Sequence, residues 1–196
     1  MTAMSNARAF KISLALTAFL AAAACGGSAP ETYDLSAASV PEVHKLRAQI
    51  AIREPLTSLD LDSQRILVRT SPETVAYLTG AQWSDRLPTL VQTRLVQTFQ
   101  NAHLLGSVGR AGAGFSSNYS LELDIRAFEL DAKSVQANVD IAAKIVDDRG
   151  GRIVASRIFK MQVPSAGTSG AQASVALNAA LSAVMTQMVA FTAASM

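Results

Sequence analysis

In 196 residues the chain carries 17 Lys and Arg against 15 Asp and Glu, with two His, one Cys and one Trp. Hydrophobic residues make up 49% and charged residues only 16%, against roughly 25% charged in an average soluble domain, which excludes a disordered chain. A single Cys excludes an internal disulfide framework and any multi-thiolate zinc site, and two His exclude centres built from several imidazoles.

The first residues read as a leader. Arg8 and Lys11 form a basic start, Ile12 to Ala24 is an uncharged apolar run, and Ala22-Ala23-Ala24 precede Cys25, the sole cysteine. The apolar run is too short to cross a bilayer, which takes about 20 residues, but it suits a secretory signal. Cys25 followed by Gly26-Gly27-Ser28 resembles a bacterial lipobox, in which the Cys thiol is diacylated and the chain is cut just before it. Ala22 stands where that motif usually has a larger aliphatic residue, and the plainer alternative is an ordinary signal peptide with an incidental Cys. The expectation is a signal peptide at 1–24, a lipid-bearing Cys25 with a short tether over 25–32, and a single domain over 33–196. Acyl chains on the mature N-terminus give stable membrane anchoring. Gly26 rather than Asp after the Cys points, by resemblance to Gram-negative sorting, to the outer membrane. Loss of the leader removes Arg8 and Lys11 and no acid, so the formal net charge falls from +2 to 0. With no basic run left, nucleic acid is excluded as a partner.

Beyond the tether, Gln49–Arg53 and Arg65–Thr70 read as short strands, with Pro55 and Asp60 to Ser63 as punctuation. Val75-Ala-Tyr77 is a further short strand before a turn at Thr79-Gly80. Leu87, Leu90, Val91, Leu95 and Phe99 recur at helical spacing, with Pro88 in the first turn and Ser84 or Asp85 near the cap. The glycine-rich segment Gly106–Gly114 lacks the Gly-Lys-Ser/Thr ending of a phosphate loop and reads as a flexible connection. Leu121, Leu123, Ile125 and Ala127 then alternate with Glu122, Asp124, Arg126 and Phe128. After a turn near Asp131, Val135, Ala137, Val139, Ile141, Ala143 and Ile145 alternate with polar residues. A turn at Asp147–Gly151 leads into Arg152–Val163, with Ile153, Phe159 and Met161 on one side. Such alternation means an antiparallel meander with one face on a core. The last segment, from about Ser169 to Ala193, is a helix with a polar stripe (Ser174, Asn178, Ser182, Thr186) beside an apolar one (Leu177, Leu181, Val184, Met188, Phe191). No charged residue lies between Met161 and Met196. A membrane span would place Gln172, Asn178 and Gln187 in or near hydrocarbon, so a helix packed on the sheet is expected. Its small, uncharged outer side leaves a contact with a second copy open. The expected fold is α+β: a mostly antiparallel sheet of about five strands with two main helices packed on one face.

Tyr33-Asp-Leu35, Tyr77–Pro88 (YLTGAQWSDRLP), Tyr119–Glu129 (YSLELDIRAFE) and Val175–Leu181 (VALNAAL) together resemble the ABC-type transport auxiliary lipoprotein family, the group that includes the PqiC lipoproteins. The resemblance covers most of the mature chain. It implies a non-enzymatic outer-membrane lipoprotein, without a cofactor or metal. It also implies a partner, the MCE-domain periplasmic protein of an ABC transporter that moves phospholipid or other hydrophobic cargo between the membranes. Oligomeric rings among some relatives make a homo-oligomer part of the expectation. In this reading Cys25 carries the lipid, and Trp83 and Pro88 are structural. The alternative is a structural lipoprotein of another outer-membrane assembly pathway. A hydrolase is disfavoured, because a Ser-His-Asp triad has only His44 and His103 to draw on and no Gly-x-Ser-x-Gly elbow is present.

Overall fold

A computed structural model describes residues 29–41, 46–112, 114 and 116–196. Among them are nine strands and two helices in the order β1 (Glu31–Tyr33), β2 (Leu46–Ile52), β3 (Leu56–Thr57), β4 (Arg65–Ser71), β5 (Thr74–Trp83), α1 (Leu87–Asn101), β6 (Leu105–Arg110), β7 (Tyr119–Asp131), β8 (Gln136–Asp147), β9 (Arg152–Pro164) and α2 (Gly170–Ser195). The fold is α+β, as the sequence pattern implies, but the sheet is larger than five strands and mixed in direction. β7, β8 and β9 form the antiparallel meander. The other edge of β7 is covered by three short parallel strands in succession: β2 opposite Tyr119–Leu121, β3 opposite Asp124–Ile125 and β4 opposite Glu129–Asp131. β6 extends the sheet beyond β2, and β5 and β1 extend it beyond β4. The kink at Glu54-Pro55 and the turns over Ser58–Ser63 let one stretch of chain run down a single long neighbour in three pieces.

Several expectations change with this topology. Gly106–Arg110 is strand, not flexible connection, because the edge of β2 supplies a parallel partner from Leu46 to Ile52. Thr79-Gly80 is not a turn; it lies inside β5, where Gly80 at φ 71° absorbs a register shift against β4. In β7 a bulge falls at Arg126, between the Ile125–Ile141 and Ala127–Asp140 pairs. The extra residue reverses the facing, so Phe128 and Leu130 enter the core and Ala127 does not. A second bulge, between the Ile145 and Val146 pairings with β9, turns Ile153 away from Phe159 and leaves it exposed. Val135, with φ 53°, belongs to the turn before β8 rather than to the strand.

Both helices cover one face of the sheet and touch each other through Thr98 and Met185. α1 buries Leu87, Leu90, Val91, Leu95 and Phe99, the predicted stripe, and Gln92 donates to the Ile52 carbonyl at 3.0 Å. Its cap residue is Arg86 rather than Ser84 or Asp85, and Pro88 occupies the first turn. α2 begins with a capping box in which Ser169 and Gln172 satisfy each other's backbone N–H groups. Gly170 is required by close approach: a Cβ there would lie 2.5 Å from Ala81 Cβ and 3.1 Å from the Tyr33 ring. By length and hydropathy α2 could cross a membrane, yet half of its most apolar stretch is buried against the sheet. Its polar stripe is not its solvent face. Ser174 is buried, and Asn178 accepts a hydrogen bond from the Ser36 N–H at 2.7 Å.

That bond belongs to a strap, residues 34–40, which lies over the junction of the two helices. Asp34 pairs with Arg94 of α1, and the Ala38 N–H donates to Thr98 Oγ1 at 3.0 Å. Leu35 and Ala38 are buried in the core. Burial pushes the Asp34 pKa up. Hydrogen bonds from Arg94, the Leu35 N–H and Ser84 outweigh that and hold the carboxyl below its ordinary 3.8.

Candidate docking surface

Of the residues singled out in the sequence, Cys25 and His44 lie outside the described residues. His103 sits in the turn after α1 with φ 50°. Among the described residues no group of three or more His, Cys, Asp or Glu is placed to hold a metal. Trp83 is buried, edge-on to Phe128 at 5.9 Å, and its backbone N–H donates to the Gln64 carbonyl at 2.6 Å, so it ties the end of β5 to the start of β4.

The uncovered face of the sheet is charged and internally paired. Arg69 grips both oxygens of the buried Glu129 (2.5 and 2.9 Å), Arg53 meets Glu122 at 3.4 Å, and Asp140 lies between Lys160 (3.1 Å) and Arg126 (3.8 Å). This is a wet face held by local ion pairs, each worth little where exposed.

A different surface lies where α2 meets β9. Among the described residues β9 pairs only with β8, which leaves its outer edge open along Arg152–Pro164. Beside its end runs a groove of about 420 Å³ lined by Val163, Pro164 and Ala166 and by Ala171, Val175 and Ala179 of α2. Val175 is 71% exposed although its neighbours Ala176 and Leu177 are buried. The outward side of α2 continues through Ala190 and Ala194 without a charge. An open strand edge beside an apolar groove can accept another protein's apolar surface or an alkyl group; it offers no acid, base or nucleophile. The charge-free stretch from Met161 onward was the sequence signal for this surface. The groove itself needs the β9–α2 crossing and could not be read from the chain.

Residues 33–189 match the family described as ABC-type transport auxiliary lipoprotein component, and the chain belongs to that family. An uncharacterised protein of Bradyrhizobium diazoefficiens is 31% identical over 176 residues, covering 85% of this chain and 47% of that one. The chain therefore spans about half the length of the curated relative it matches. A crystal structure of a Xanthomonas campestris protein superposes with a TM-score of 0.77 at 27% identity, over 84% of this chain and 96% of that one. Another, of an uncharacterised protein, shares the fold with a TM-score of 0.63 at 12% identity, over 85% of this chain and 98% of that one.

Proposed function

We propose that this protein is a non-catalytic lipoprotein held at the periplasmic face of the outer membrane by acyl chains on Cys25. There it serves as the auxiliary component of an MCE-type ABC transporter moving phospholipid or other hydrophobic cargo across the periplasm. The family match over residues 33–189 carries this reading. The apolar groove and open strand edge support it, since they suit docking rather than chemistry. The charge-free outer side of α2 supports self-association as part of the same assembly.

In-cell crosslinking of the tagged full-length chain, followed by mass spectrometry, is expected to recover an MCE-domain protein. Recovery of outer-membrane assembly factors in its place would overturn the transporter assignment. Cys25→Ser is expected to leave the domain folded and release it from the membrane fraction; firm retention of the variant would refute the anchor.

A further inference from the structure

The chain enters the fold beside the first turn of α2. β1 holds Glu31 opposite Ala81 of β5, and α2 starts against that same Ala81, where a Cβ on Gly170 would meet it and the Tyr33 ring. From Gly170 the helix carries the apolar groove at once: Ala171, Val175 and Ala179 line it with Val163, Pro164 and Ala166. The other end of α2 is distant. Its 26 residues span about 39 Å, and Met196 beyond them lies at a cleft with Asn118 and Arg149.

The length of chain ahead of β1 decides which end faces the bilayer. Six residues lead from Cys25 to Glu31, and fully extended they reach at most about 20 Å. With its acyl chains in a membrane, Cys25 therefore keeps the groove end of α2 close to the lipid and leaves the Met196 end pointing away. A gap of that depth has no room for a folded partner, since even a small domain is about 30 Å across. The chemistry of the groove end suits lipid. No charge occurs between Met161 and Met196, and Val175 is 71% exposed. Charges on the segments packed beside the groove have partners within the protein: Lys160 meets Asp140, Glu31 accepts from Tyr33 Oη, and Asp131 accepts from the Lys133 and Ser134 N–H groups at 2.9 and 2.8 Å. The Lys133 side chain stands on the turn whose Val135 carbonyl accepts from the Ser165 N–H, and it has the sign that lipid phosphates attract. Because the anchor makes the contact intramolecular, a small apolar patch is enough to hold one orientation.

We propose that the groove between α2 and β9 is a membrane-contact surface, with Val175, Val163, Pro164 and Ala166 resting at the headgroup–acyl boundary of the bilayer that holds Cys25. This rests on the anchor reading above. The test uses the acylated full-length chain in vesicles of phosphatidylethanolamine and phosphatidylglycerol, with part of the lipid carrying brominated acyl chains. Acylation consumes the Cys25 thiol, so a thiol-reactive fluorophore labels only an introduced cysteine, Val175→Cys at the groove or Arg149→Cys at the far end. Quenching by bromolipid is expected at 175 and not at 149. In a chain labelled through Ala166→Cys, adding Val175→Asp should lower the docked-to-undocked ratio, read from the quenched fraction, by about tenfold, the change that burial of one valine corresponds to. Val175 and Ala166 are both exposed, and an unchanged thermal melt verifies that folding is intact. Quenching absent at 175, or equal at 175 and 149, in a protein that floats with the vesicles overturns this proposal and leaves the anchor standing. A parent chain whose Cys25 reacts with the fluorophore and which does not float overturns both. Energy transfer between labels at 175 without lipid quenching assigns the groove to a second copy and overturns the proposal as well.

Discussion

At the scale of single residues, Arg69 and Glu129 show how the open sheet face tolerates a buried charge. The Glu129 side chain is only 6% exposed, and Arg69 meets both its oxygens in a fork. Glu129 hydrogen-bonding raises the Arg69 pKa, so the cation is retained at every physiological pH. Removing Arg69 leaves a carboxylate out of water with nothing to neutralise it. A fully buried pair broken in this way costs roughly 3–5 kcal/mol, and because about a third of Arg69 meets water the expected loss is nearer 2 kcal/mol. Urea unfolding of Arg69→Met should show that loss, and the double variant Arg69→Met, Glu129→Met should recover most of it. A double variant as unstable as the single one would mean that packing, not charge pairing, holds the site.

At the scale of elements, the segments with strong period, α1, α2, β7, β8 and β9, were legible because their pattern is set by one buried face. What was not legible depends on partners distant in sequence. Leu56-Thr57 has too few residues to carry a pattern, and Leu105–Arg110 has two glycines and becomes a strand only because β2 lies beside it. Phe128 was placed on the wrong side for a related reason: alternation counted through Arg126 ignores the extra residue that the bulge inserts. The docking surface was half legible, its lack of charge visible and its groove not. The bulge also makes a prediction. Arg126→Ala keeps the residue count and should cost well under 1 kcal/mol, as exposed substitutions do. Deleting Arg126 removes the register correction, so Phe128 and Leu130 would turn outward or the β7–β8 ladder would break. The expected result is loss of cooperative unfolding by circular dichroism, and a deletion variant that melts like the parent would refute the role given to the bulge.

At the scale of the whole molecule, the strap over residues 34–40 joins the N-terminal side of the chain to both helices. Its Asp34 has a lowered pKa, so the stabilisation from its ion pair is complete above the ordinary carboxylate value and is lost as pH falls through the lower folded value. Protection of the Leu35, Ser36 and Ala38 amides, measured against their intrinsic exchange rates, should therefore hold above pH 3.8 and decline only below it. Asp34→Asn should weaken protection above pH 3.8, where the wild-type carboxylate is charged, and remove the dependence. If protection of the strap declines already between pH 5 and 6, another group governs it.

The order of attachments along this strap has a mechanical consequence. A pull on the N-terminus first meets the short β1 ladder against β5, then the Asp34–Arg94 pair, then the Ser36–Asn178 bond, then the Ala38–Thr98 bond. These polar ties are loaded one after another, together with the buried Leu35 and Ala38 side chains, and all lie ahead of β2 in the chain. Tension would peel the strap in steps and lengthen the lead by several residues while β2 to α2 stay folded. The strap thus acts as a fuse, yielding reach under strain before the sheet itself is drawn on.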